Sequence, residues 1–309
     1  MALTGATGDL GQLLVPLLLA DEGVERVLAL DIAKPKEAPG LAYRRIDLTH
    51  HEADRDLAEA LVEEEIDALY HLAFLWTPRA LGNFAHELEV IGTMRVLEGA
   101  ARAKPARLIV GSLTVLYGAG PDLPALIPER APLRGCAGSR FVSDKIEMEN
   151  LTQKFAERHP ETRVLILRFA PIVGPTVDNP ATRLLSRELV PTLMGFDPLW
   201  QAVHEEDVGR ALHLALRADA QGAFNIVGGG VLPLSGLVRE AGGHVLPMPT
   251  PVARATLGAL NAYGGRGVPV QLLDYIHYPW VADGSRAQEA LGFVPRHHTR
   301  DAVAALRRA

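Results

Sequence analysis

Two spacings of apolar residues alternate through the first half of the chain. The runs at 24–31 (VERVLALD), 66–73 (IDALYHLA), 106–112 (ARLIVGS) and 163–169 (RVLILRF) are short, rich in leucine and β-branched residues, and largely apolar. That pattern predicts strands buried on both faces. Between them, 53–65, 84–103 and 139–159 bring apolar residues to one side at helical spacing. The alternation predicts the α/β class, a doubly wound parallel sheet with helices on both faces. The second half is punctuated by Pro and Gly in GGGVLPLSG, AGGHVLPMPTP and YGGRGVP, with helical pieces around 181–195, 206–217, 252–263 and 299–308. We therefore expect a sheet domain over 1–168, rejoined by 201–227, and a smaller C-terminal α/β domain made of 169–200 and 228–309. At the start, only residues 1–4 precede the first glycine, against about five or six for an ordinary strand. Either the first strand is unusually short or the natural start codon lies upstream.

Bulk numbers narrow the classes. The 309 residues, 48% hydrophobic and 22% charged, can bury a substantial core. A net charge of -6 without a long basic run argues against a nucleic-acid partner. The apolar stretch LLVPLLLA at 13–20 is too short for a membrane span and contains Pro16. The first residues lack the charged and apolar regions of a signal peptide. Cys136 is the only cysteine, so no intrachain disulfide can form and a reducing cytoplasm is the expected compartment.

The candidate chemistry begins at TGATGDLG, where Gly5, Gly8 and Gly11 follow the first strand and open a helix. Glycine permits a tight turn and close approach of backbone to a pyrophosphate, whose charge the helix N-terminus attracts. Asp31 follows Gly11 by 20 residues and ends the next strand. An acid there can accept hydrogen bonds from both hydroxyls of an adenosine ribose and would repel a 2'-phosphate. The combination predicts NAD rather than NADP. Asp47 and Leu48, after a third strand, are placed to reach the adenine, although a strand-end turn explains Asp47 equally well.

Further segments fall in the order and spacing of one family: HLA at 71–73, EVIGTMRVLEGA at 89–100, VGSLTVLYG at 110–118, FVSDK at 141–145, LRFAPIVGP at 167–175, VHEEDVGRAL at 203–212 and FNIVGGG at 224–230. With the glycine motif and Asp31 they resemble the extended short-chain dehydrogenases, the NAD-dependent epimerase/dehydratase family, along nearly the whole chain. The resemblance implies a Rossmann-like NAD domain, a smaller C-terminal substrate domain and a homodimer through the helices at 84–103 and 139–159. It implies cofactor contacts at Gly5, Thr7, Gly8, Asp9, Leu10, Gly11, Asp31, Asp47, Leu48, Leu72, Ala73 and Lys145. It also implies a small-molecule ligand, most often a nucleotide sugar. In the family, hydride moves to or from nicotinamide while a tyrosine exchanges the substrate proton. A lysine lowers the tyrosine's pKa and holds the ribose, a serine or threonine orients the substrate, and an asparagine supports the lysine.

Carried over position by position, only the lysine survives, as Lys145. The tyrosine position is Phe141, the serine or threonine position is Leu113, and the asparagine position is Glu89. A positioned general acid or base contributes roughly 10²- to 10⁴-fold in rate. Losing the acid and the orienting hydroxyl together should leave little of the family reaction. Ser112 or Thr114 could replace the missing hydroxyl if the register shifts by one. Ser143 and Asp144 lie about 200° and 100° around the helix from Lys145 and replace the tyrosine poorly. Glu89, buried and raised in pKa, could donate a proton; the simpler alternative is that it pairs with Lys145. His50/His51 and His297/His298 read as exposed surface rather than metal ligands, and His204 to Asp207 as a helix start. The reading favoured is an NAD-binding pseudoenzyme, cofactor-sensing or scaffolding, with a possible protein partner. The alternative is an active oxidoreductase or epimerase on a nucleotide sugar or other carbonyl compound with a non-standard proton donor.

Overall fold

The computed structural model describes residues 1–75, 83–262 and 270–308. Its central sheet has seven strands: β1 (Ala2–Thr4), β2 (Val27–Asp31), β3 (Leu41–Arg45), β4 (Ala68–His71), β5 (Arg107–Leu113), β6 (Arg163–Phe169) and an edge strand, Gly222–Ile226. The spatial order is edge strand, β6, β5, β4, β1, β2, β3, and every pairing is parallel. This is the Rossmann-like α/β fold. The order reverses at β1, which lies between β2 and β4, and a ligand crevice opens beyond the strand ends at such a point.

Period-two alternation sends neighbouring strand residues to opposite cores. Ala29, Tyr70, Ile109, Leu165 and Leu167 join Leu10, Leu14 and Leu18 of α1 (Asp9–Leu19) and Val208 and Leu212 of α7 (Glu205–Ala215). Leu28, Leu30, Leu108, Val110, Val164 and Ile166 join α2 (Ala53–Glu63), α4 (Thr93–Ala103) and α5 (Arg140–Arg158) through Leu57, Leu61, Val96, Met148 and Phe155. Burying each such side chain contributes about 1.5–3 kcal/mol, so the helices are fixed on both faces. β1 has only three residues, all buried.

Two elements depart from the sequence reading. The stretch 84–103 is helical throughout but not uniformly α: α3 (Asn83–His86) leads into a π-helical turn, Glu87–Gly92, before α4. The expected helix at 181–195 is instead a short helix, α6 (Pro180–Leu185), followed by a strand, Leu189–Leu193, paired in parallel with His244–Met248. Asn179 starts α6 with a capping box that includes Thr182, and Pro191 lacks the N–H a helix interior requires. The remaining pieces lie close to expectation, at Glu205–Ala215, Thr250–Ala262 and Thr299–Ala304, with Ala305–Arg308 a 3₁₀ turn. Position 263, the end of the third expected piece, lies outside the described residues.

Candidate active site

The glycine turn is set by contact as well as conformation. Gly5 has φ +73°, and a Cβ there would meet the backbone of Leu72 and Ala73 at 2.6–2.7 Å. A Cβ on Gly11 would come within 2.3 Å of the Gly5 carbonyl oxygen. Gly8 is the N-cap of α1 and brings no side-chain cap, which leaves helix N–H groups open to an anion. Asp31 closes the turn from β2: its Oδ2 accepts the Thr7 N–H at 2.9 Å and the Thr7 hydroxyl at 3.0 Å. Leu10 and Leu72 send their side chains into the core, so each could offer a cofactor only backbone. The Asp9 carboxyl is half-buried and held above its usual range by burial and by the charges of Asp178 and Glu205. Asp47 Oδ1 accepts the Thr49 hydroxyl at 2.7 Å and the Thr49 N–H at 3.0 Å, a strand-end turn that holds its carboxyl below the usual range. Leu48 is buried behind it, and its carbonyl accepts from Arg95 at 2.7 Å.

Lys145 is fully enclosed. Its Nζ donates to both oxygens of Glu89 at 3.1 Å, and both residues are 1% exposed. The ring centroids of Phe74 and Phe141 lie 4.1 and 5.1 Å from the same nitrogen. Glu89 Oε1 also accepts the Leu75 N–H at 2.5 Å. Burial pushes the Glu89 carboxyl up and the Lys145 ammonium down, while the mutual attraction opposes both. Glu89 belongs to the π-helical turn, a geometry that frequently marks functional sites. Behind the pair, His71 Nε2 lies 2.9 Å from the Thr93 hydroxyl and Nδ1 lies 2.8 Å from the Thr4 hydroxyl. Thr93 donates its one hydroxyl hydrogen to the Glu89 carbonyl at 2.6 Å. His71 Nε2 therefore donates to Thr93, and Nδ1 accepts from Thr4. Burial, then the charge of Lys145, pushes His71 down to about 4.

The candidates at the end of β5 and in the 3₁₀ turn after it, Thr114–Tyr117, separate. Ser112 donates to Glu149 Oε2 at 2.7 Å, inside a buried network and away from the cleft. There Arg168 contacts Glu149 and donates to the Tyr117 hydroxyl at 2.7 Å, and Tyr117 donates to Asn225 Oδ1 at 2.7 Å. Leu113, Thr114 and Phe141 line one cavity of about 130 Å³ together with Ile172, Trp200 and Trp280. Asp144 is buried against His86, with Oδ1 2.9 Å from Nδ1. His297, read as exposed surface, is stacked at 4.1 Å on the buried His204 and lies 3.0 Å from Glu206 Oε2. The sequence offers the aromatic run YIHYPW at 275–280 as either cleft lining or core, and the structure puts Tyr275 and Trp280 in the cavity lining. His71 is marked in the sequence only as part of the HLA segment, and Phe74, directly after it, is not marked at all.

A family model, the NAD dependent epimerase/dehydratase family, matches residues 1–227. The chain belongs to that family. Among curated proteins, uncharacterised proteins of Mycobacterium bovis and Mycobacterium tuberculosis are 30% identical to it over 307 residues, with 97% of this chain and 81% of theirs covered. Among solved structures, MoeE5 in complex with UDP-glucuronic acid and NAD has 25% identity and a TM-score of 0.75, with 99% of this chain and 97% of that one covered. The UDP-glucose 4-epimerase of Thermus thermophilus in complex with NAD has the same TM-score and coverage at 19% identity, a likeness of fold.

The family is NAD-dependent, and the two halves of the cleft suit that cofactor unequally. At the adenosine and pyrophosphate end, the Cβ-free turn, the uncapped N-terminus of α1 and Asp31 form a fitting cradle. Around Lys145, where the family resemblance would set the nicotinamide, the lysine's charge is already matched by Glu89 and covered by two aromatic rings. When bound, NAD would supply hydride chemistry. This chain's Phe141 and Leu113 have no group that could move the accompanying proton. Among the described residues, no helix is long and apolar enough to cross a membrane.

Proposed function

We propose that this protein binds NAD through Gly5, Gly8, Gly11 and Asp31 and works as a cofactor-sensing or scaffolding pseudoenzyme. The observation that carries the reading is the buried Lys145–Glu89 pair under Phe74 and Phe141, beside a cavity wall formed by Leu113. Gly5, Gly8, Gly11 and Asp31 keep the family's cradle pattern, while the tyrosine and serine positions that would accompany the lysine are Phe141 and Leu113. Calorimetry with NAD, and a turnover screen with UDP-glucose, UDP-glucuronic acid and simple carbonyl compounds, test it. Binding without turnover is expected. Absence of NAD binding and of copurified nucleotide would end the proposal.

The second reading is an oxidoreductase or epimerase in which Glu89 donates the proton, and the raised pKa of that carboxyl favours it. Steady turnover abolished by Glu89→Gln with NAD affinity retained would establish it over the first. We also propose a homodimer through the helices at 83–103 and 140–158, where Phe84 and Met94 stand exposed. Light scattering that gives the mass of one chain would exclude it.

A further inference from the structure

We infer that the cavity beside Lys145 receives a compact apolar ligand, about the size of benzene or indole and bearing at most one polar atom, rather than a hexose. The inference rests on the proposed NAD reading only in placing this ligand next to the nicotinamide end of the cleft. Leu113 and Phe141, two of the three altered catalytic positions, both line this cavity. Leu184, Trp200, Tyr275 and Trp280 complete much of the rest. Two family hydroxyls are thus replaced by carbon where they would have met a substrate oxygen.

The polar groups that do line the cavity are largely engaged by the protein. Asn179 Oδ1 accepts the N–H groups of Ala181 and Thr182 at 2.9 and 3.1 Å, and its Nδ2 donates to the Ile172 carbonyl at 2.7 Å. Tyr275 donates its hydroxyl to the Val115 carbonyl at 2.6 Å, and the Trp200 indole donates to the Tyr275 carbonyl at 2.7 Å. Among the described residues the buried Trp280 Nε1 has no hydrogen-bond partner. Thr114 lines the cavity next to Leu113. A hexose brings a ring of hydroxyls that lose water on entry, and each one left unpaired opposes binding. An apolar ring loses nothing comparable. The volume of about 130 Å³ is close to that of the apolar protein cavity of about 150 Å³ that stays dry and binds benzene. Trp200 and Trp280 meet edge to face at 5.5 Å, as do Tyr275 and Trp280 at 4.9 Å, which leaves a shaped aromatic wall for a planar guest.

The test uses the full-length protein with and without saturating NAD. Indole is titrated by calorimetry, with UDP-glucose as the comparison and NAD binding measured on the same preparations. Indole is expected to bind, and Ala181→Leu and Leu184→Phe, which fill the cavity from one helix, to weaken it at least tenfold with NAD affinity unchanged. Ile172→Phe fills it from outside that helix and should act alike if a helix variant fails to fold. UDP-glucose is expected not to displace indole. The inference is overturned if indole does not bind, if folded filling variants bind it as the parent does, or if UDP-glucose displaces it competitively. NAD binding without indole binding removes this inference and leaves the proposed function standing. Indole binding without NAD binding does the reverse.

Discussion

Glu89 and Lys145 stand where water cannot compensate either charge, so each is stable only because of the other. Breaking one member of a buried pair costs about 3–5 kcal/mol, whereas replacing both by apolar groups of similar volume is often neutral. Glu89→Gln and Lys145→Met should therefore each lower the unfolding free energy in urea by about 3–5 kcal/mol. Glu89→Leu with Lys145→Met should lose far less than their sum. Single changes that cost under about 1 kcal/mol would mean that water reaches the pair. His71 makes a second prediction from the same interior. Its pKa falls from 6.5 in the unfolded chain to about 4 in the folded one, so between those values the unfolded state binds more protons. The stability gained from keeping His71 neutral is complete above pH 6.5 and is lost as pH falls toward 4, to a total of about 3 kcal/mol. Denaturation of the parent and of His71→Gln over that window checks the sign. A parent whose stability relative to the variant is constant from pH 7 to pH 4 would refute it.

At the scale of the elements, the turn from β1 into α1 is the least forgiving. A methyl at Gly11 would press against backbone, the carbonyl of Gly5 at 2.3 Å and that of Ala6 at 2.5 Å, and backbone cannot move aside as a flexible side chain can. Gly11→Ala should cost about 1–3 kcal/mol in denaturation and abolish NAD binding in calorimetry; unchanged affinity would show that the turn does not hold the cofactor. This element was legible because glycine spacing, strand end and helix start coincide in eight consecutive letters. The sheet strands were legible for a related reason: burial on both faces leaves an apolar run, and the two cores divide Leu165 and Leu167 from Val164 and Ile166. The π-helical turn was not legible, since it is a single wider turn inside a stretch that reads as helical on both sides and has no composition signal of its own. Yet that turn carries Glu89 to Lys145. The strand Leu189–Leu193 was missed because its five residues continue the leucines of α6 without a break, and tertiary pairing decided against the local pattern. Leu113 and Phe141 were identified by register alone. Their meeting in one cavity depends on distant segments such as 172–184 and 275–280, which no local spacing encodes.

In the whole molecule, the buried network of Arg168, Glu149 and Tyr117 ties β6, α5 and the 3₁₀ turn after β5 to Asn225 of the edge strand. The helix that presents Phe141 and Lys145 is thereby anchored to the sheet, so that little of it would need ordering when a ligand binds. A preorganised site shifts stability by mass action with little loss to ordering. NAD at about 100 times its dissociation constant should stabilise the native state by about 2.7 kcal/mol. For 309 residues that corresponds to a rise in Tm of roughly 5 °C, since larger chains shift by about 2–4 °C or less per kcal/mol. Phe141→Tyr leaves the glycine turn and Asp31 untouched, so it should show the same rise. Gly11→Ala should show none even where it remains folded. Scanning calorimetry of the three proteins with and without NAD separates the possibilities. An equal rise in all three would place NAD elsewhere on the molecule, and no rise in the parent would remove cofactor sensing as its role. A rise confined to the parent and Phe141→Tyr is the result that a retained cradle beside a silent reaction centre requires.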